Sequence, residues 1–282
     1  MEKKLIEKWS VLGVKFMFWA YVGDYTDYLS YNVGFRTIPI TLRGMSRLTN
    51  GSIVYCAPYK NRRHWQYNMY QYVGNKLLWN PLLDAETLKE EYIEFVYGIT
   101  SPCVRKIFAL MDGHYASYMK PEIAIGAGNY NRAATYPNIT AELCIRMWDF
   151  VKEGQNVIEV SSLPEKEKQV LRERMWEIQV TPMWMLLNNY RQFFPTHSER
   201  QKLRLLNEWY DVAAHKLSMV GGGSFSEHQN LSDVYWRLRF RETEDSNLVD
   251  KIYGRIPGDT DETYYAEWNE LKKKGWKPEK ED

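Results

Sequence analysis

The chain has 282 residues, 44% of them apolar, and a formal net charge of +1. That length allows one large domain or two ordinary ones, and the apolar fraction affords a sizeable core and excludes global disorder. A charge this close to balance creates no one-signed field, so neither nucleic acid nor a membrane surface is indicated as a partner.

The first residues, MEKKLIEKWSVLG, have no long apolar core behind their charges, so no signal peptide is expected. No segment approaches the length of a membrane span. Residues 14–19, VKFMFW, are predicted as a strand buried on both faces. Thr37 and Pro39 open a helix with Ile38, Leu42, Met45 and Leu48 on one face, stopped by Asn50-Gly51. SIVYC at 52–56 is a second short apolar strand, so strand, helix and strand read as a βαβ unit with parallel strands.

From residue 62 the apolar period becomes 3.6. Trp65, Met69, Tyr72, Val73 and Leu77 form one stripe, broken at Asn80-Pro81. Asp84 caps a helix carrying Leu88, Tyr92, Phe95 and Val96, and Gly98 closes it. Ser101-Pro102 starts the next, which Lys120-Pro121 ends. Residues 121–138 read as a long Gly- and Asn-rich loop, and a helix at about 140–153 stops at Gly154. Ser162-Leu-Pro-Glu165 and Thr196-His-Ser-Glu199 have the form of capping boxes. The first opens a helix that Pro182 is expected to kink or divide. The second opens one carrying Leu203, Leu206, Tyr210, Ala213 and Leu217, ending at Gly221. In the charged tail, VYWRLRF at 234–240 is predicted as a short strand. Two strands cannot make an adequate sheet alone, which suggests the last part of a larger α/β domain followed by helices.

The stretch NKLLWNPLLDAETLKEEYIEFVYG at 75–98 resembles a hallmark of a large bacterial glycoside-hydrolase-like family. That family carries the domain of unknown function DUF4838 and is similar in architecture to α-glucuronidases. FMFWAYVGDYTDYL (16–29) resembles its penultimate barrel strand and loop, NGSIVYCAPY (50–59) its last strand, and SPCVRKIFALMDGHY (101–115) its next helix. The resemblance covers roughly residues 10–223. It implies a mainly α fold with a small α/β part: the last βαβ portion of a (β/α)8-type barrel followed by an α-helical C-terminal domain. The implied division is residues 1–60 for the barrel segment, 61–223 for the helical domain and 224–282 for the tail.

Barrels of this kind bind ligands at the C-terminal ends of their strands. Trp19, Tyr21, Asp24 and Tyr25 would then line the rim of a sugar cleft, with Lys60, Arg62, Arg63, His64 and Trp65 on the rim after the final strand. Arginines there suit a carboxylate-bearing sugar, although the same basic run also fits an ordinary solvated loop. The 21 Tyr, 11 Trp and 10 Phe suit either such a cleft or large helix–helix interfaces. Hydrolysis of a glycosidic bond normally needs two carboxyl groups. Where the family places acids, this chain has Ala20 and Cys56. Asp24 is the catalytic candidate, with Asp27 beside it, yet Asp24 equally fits a turn after Gly23.

Cys56, Cys103 and Cys144 show no metal-ligand spacing, GAGNYNRAA lacks the frame of a dinucleotide loop, and no G-x-S-x-G occurs. No metal and no cofactor are therefore expected. The reading is a C-terminal portion of a carbohydrate-active protein, one wall of a sugar-binding cleft, inactive as a glycoside hydrolase when isolated. The expected partners are an oligosaccharide or uronic-acid-containing glycan, and either further copies of the chain or a missing N-terminal barrel portion. The alternative is a non-catalytic helical protein-interaction module.

Overall fold

Local sequence signals set most helix boundaries, and the structure, a computed structural model, describes residues 8–9, 11–12, 18–21, 27–32, 35, 37–49, 53–56, 63–118, 139–188, 199–219, 225 and 230–240. The described elements, in chain order, are β1 (Phe18–Tyr21), α1 (Thr37–Thr49), β2 (Ile53–Cys56), α2 (Trp65–Trp79), α3 (Ala85–Tyr97), α4 (Ser101–Tyr118), α5 (Ala141–Val160), α6 (Glu165–Asn188), α7 (Glu199–Tyr210) and α8 (Leu231–Phe240). A six-residue π-helical segment, Asp211–Lys216, continues α7.

The caps explain the starts and stops. The Asp84 carboxylate accepts the Thr87 N–H at 2.7 Å and begins α3. Gly98 ends that helix at φ 45°, a left-handed backbone that a side chain would strain. Thr140 caps α5 by accepting from the Leu143 N–H at 3.2 Å. Short links join α2 to α3, α3 to α4 and α5 to α6, and side chains meet across each pair. Tyr72 meets Tyr92 across α2 and α3, and Arg105 meets Glu90 and Glu94 across α4 and α3. Arg172 of α6 meets Glu159 of α5. Arg43 ties α1 to the α2–α3 turn through the carbonyls of Pro81 and Leu83, at 2.9 and 2.8 Å.

The expected barrel portion is overturned. β1 and β2 pair in parallel, Phe18 opposite Ile53 and Tyr21 opposite Cys56, and no further strand joins them among the described residues. The protein is mainly helical. Its described core comes from helix faces together with Tyr28, Leu29, Tyr31 and Phe35, whereas a barrel takes its core from layers of strand side chains.

Expectations for the helices are also corrected or narrowed. α5 runs straight through Gly154 to Val160, because this glycine is a contact point: a Cβ there would stand 2.6 Å from the Met175 methyl of α6. α6 is one helix from Glu165 to Asn188 and is not divided at Pro182. Residues 178–188 are buried all round, so neighbouring helices hold that half in place despite the missing N–H. VYWRLRF belongs to helix α8, since Leu231, Val234, Tyr235 and Leu238 are buried at helical spacing. The first capping box also sits out of register. Glu167 and Lys168 donate to the Pro164 carbonyl, so α6 starts at Glu165. Thr196 and the loop at 121–138 lie outside the described residues.

Two apolar clusters result. One gathers α1 to α6 around Trp65, Tyr70, Ile107, Met147 and Met175. The other joins the end of α6 to α7, the π-helical segment and α8 around Trp184, Trp209 and Phe225. The segment 27–32 serves both, with Tyr28 and Tyr31 in the first and Leu29 in the second.

Candidate functional site

α6 sets out a row of polar groups. Glu173, Glu177, Thr181, Trp184 and Asn188 follow one another at intervals of four, four, three and four residues, which places them on one face of a helix. The start of α2 and the segment 27–32 meet that face.

The pairing proceeds in order along the helix. Arg63 donates through Nη1 to Glu173 at 3.0 Å and to Glu177 at 3.3 Å. Trp65 donates its indole N–H to the Thr181 hydroxyl at 3.0 Å. Trp184 donates its indole N–H to the Asp27 carboxylate at 2.8 Å. Asp27 also accepts the backbone N–H groups of Leu29 and Ser30, at 2.9 and 3.1 Å, and the Ser30 hydroxyl. Gln66 completes the frame, accepting the Asn32 N–H at 2.9 Å and donating to the Asn32 carbonyl at 3.0 Å. A side-chain amide thus pairs with a backbone as a neighbouring strand would.

Burial determines the ionisation of these groups. The Glu177 side chain is 13% exposed, and desolvation pushes its pKa up to about 7 against the opposing pull of Arg63. Burial also raises Asp27 above the usual carboxylate range, opposed by its hydrogen bonds from Ser30 and Trp184. His64 is the N-cap of α2, its Nδ1 accepting the Tyr67 N–H at 3.3 Å. Burial lowers its pKa to about 3, so the ring is neutral and its proton sits on Nε2, which is buried without a partner. Next to Glu177 lie Arg174, Tyr92 and Tyr97. Arg174 bonds the Val96 carbonyl, and burial raises both phenols. Tyr92 stands 5.5 Å from the Tyr72 ring, which also has the Lys76 ammonium over it and a hydrogen bond with Glu91.

Of the residues expected to line a site, Arg63, His64 and Trp65 come together at the start of α2. Arg63 is 40% exposed, while His64 and Trp65 are turned into the core. Trp19 and Tyr21 lie in the backbone of β1. Asp24, Tyr25, Lys60 and Arg62 lie outside the described residues. Asp27 is a buried bracket between the segment 27–32 and α6. Glu173 and Glu177 were not among the residues expected to line a site. Their own i, i+4 spacing on a helix was the available signal.

Among the described residues no group of three or more His, Cys, Asp or Glu could hold a metal ion. Cys103 and Cys144 are buried free thiols, raised by desolvation and, for Cys144, up to about 12, so neither is an activated nucleophile. No described helix is long and apolar enough to cross a membrane.

No curated protein and no solved structure matches the chain. Residues 2–109 match a family described as a domain of unknown function, DUF4838, and that match takes in β1, α1, β2, α2, α3 and the first half of α4.

Proposed function

We propose that the chain supplies one wall of a carbohydrate-binding cleft in a glycoside-hydrolase-like protein and does not catalyse by itself. The observation that carries this reading is the Arg63–Glu173–Glu177 network, in which Arg63 and Glu173 are 40% and 34% exposed and Glu177 is largely buried, with Tyr92 near Glu177 and the Tyr72 ring 5.5 Å from Tyr92. Carboxylates accept sugar hydroxyls, a guanidinium donates to them or to a uronate, and tyrosine rings offer a face to sugar C–H groups. Calorimetric titration with neutral and uronic-acid oligosaccharides tests it. Saturable binding is expected, weakened about tenfold by Glu173→Gln, which is about 1.4 kcal/mol. Absence of binding to every sugar removes the reading.

A second reading, a helical protein-interaction module, is favoured by a different observation. At the α2–α3 turn Trp79 is 92% exposed and Leu82 78% exposed, with Leu78 beside them. Large apolar side chains clustered on a surface mark contact sites for other proteins. A partner recovered by the wild type and lost with Trp79→Ser, without any sugar response, would favour this reading.

A further inference from the structure

Asn188 closes the polar row of α6, and it differs from the members before it. Its side chain is buried, at 2% exposure, and neither Nδ2 nor Oδ1 has a hydrogen-bond partner. Trp184, one turn earlier on the same face, lies against Trp209 with ring centroids 5.6 Å apart. The Trp209 Nε1–H is likewise buried without a partner. Trp184 itself is satisfied through Asp27, so the unmet groups belong to its two neighbours.

A buried polar group that makes no hydrogen bond carries its full desolvation penalty, and folded proteins rarely leave such groups unmet. We propose that Asn188 and Trp209 form an internal binding site for a small neutral hydroxyl-bearing guest, either a water molecule or one hydroxyl of a polyol. The chemistry is complementary. The indole donates, the amide offers donors on Nδ2 and an acceptor on Oδ1, and a hydroxyl oxygen accepts while its proton is donated. Leu29, Val180, Leu187, Leu206, Val212 and Phe225 pack around Trp184 and Trp209, and the nearby Asp27 carboxylate is already engaged by Trp184, Ser30 and its own turn, a setting that suits a neutral guest better than an ion. A water satisfied by several polar partners is an ordinary component of a protein interior.

The test uses the full chain labelled with 15N, the Trp209 indole resonance being assigned from its loss in Trp209→Phe. A rotating-frame Overhauser peak between that indole proton and water is expected. Asn188→Leu should abolish the peak and lower the melting midpoint. Glycerol, added as the polyol probe, distinguishes the two guests. A saturable shift of the indole resonance with loss of the water peak assigns the site to a polyol hydroxyl, and an unaffected peak assigns it to water. The proposal is overturned if the wild type shows neither peak nor saturable shift. It is equally overturned if Asn188→Leu melts higher than wild type, because an amide without a guest is better replaced by an apolar group. Should Asn188→Leu fail to fold, the wild-type spectra alone decide.

Discussion

Asp27 holds four hydrogen-bond donors with one carboxylate, two from its own turn, one from Ser30 and one from α6. Asp27→Ala leaves those donors buried and unmet, and a loss of about 3 kcal/mol in urea unfolding is expected. Asp27→Asn keeps an acceptor and should lose less, so equal losses would assign the effect to charge and not to hydrogen bonding. Titration acts at the same scale. Glu177 has a folded pKa of about 7 against an ordinary value of 4.5, so the folded state binds its proton more tightly. Its contribution is therefore fully present below pH 4.5 and is lost as pH rises to 7, at a cost of about 3 kcal/mol. His64 has the opposite sign. Its folded pKa is lowered to about 3 from 6.5, so stability is lost as pH falls from 6.5 towards 3. Melts of Glu177→Gln and wild type at pH 4.5 and pH 8 separate the two. The variant should gain on wild type at the higher pH, and a constant difference would refute a titrating Glu177.

At the scale of elements, α5 and α6 pack against each other at Gly154. Met175 fills the space that a side chain would need, with Cys103 on the third side. Alanine is the better helix former by about 1 kcal/mol, but crowding a packed core costs about 1–3 kcal/mol. Gly154→Leu should therefore destabilise by more than about 2 kcal/mol in thermal unfolding. Combining it with Met175→Ala should recover part of that loss, because the two sites share one volume. Additive losses in the double variant would show that the helices do not meet at this point. The buried half of α6 follows the same logic. Residues 178–188 are enclosed on every side, so tertiary packing holds a helix that carries a proline.

At the scale of the molecule, α6 contributes to both apolar clusters, Met185 and Leu186 to one and Trp184 and Leu187 to the other. Leu29 crosses into the second cluster from a segment whose tyrosines belong to the first. Unfolding is expected to be a single transition, with coincident circular dichroism and tryptophan fluorescence curves. Leu29→Ala should lower it as a whole by about 3 kcal/mol. Two separated transitions would show that the clusters fold independently. Function is predicted at this scale as well. Aryl glycosides and aryl glucuronides should release no aryl group above background over hours, in wild type and in Asp24→Asn alike. Turnover that collapses in the variant would make Asp24 a catalytic carboxylate and remove the non-catalytic reading.

Local chemistry was enough to locate α2, α3 and α4, because Asp84, Gly98, Asn80-Pro81 and Ser101-Pro102 act on the backbone within a turn of themselves. The same reasoning erred at Gly154, where a residue that usually ends helices serves instead to let two helices approach. It erred again at VYWRLRF, where aromatic and branched residues suggested a strand and burial at Leu231, Val234, Tyr235 and Leu238 follows a helix. The apolar runs at 14–19 and 52–56 suggested two parallel strands of a βαβ unit, and only the family resemblance implied a barrel around them; how many strands join a sheet depends on segments distant in sequence. The polar row of α6 lay in the sequence as a spacing. That Arg63 would meet Glu173 and Glu177, and Trp184 would meet Asp27, was decided only by tertiary packing, since partners 110, 114 and 157 residues apart leave no local signal.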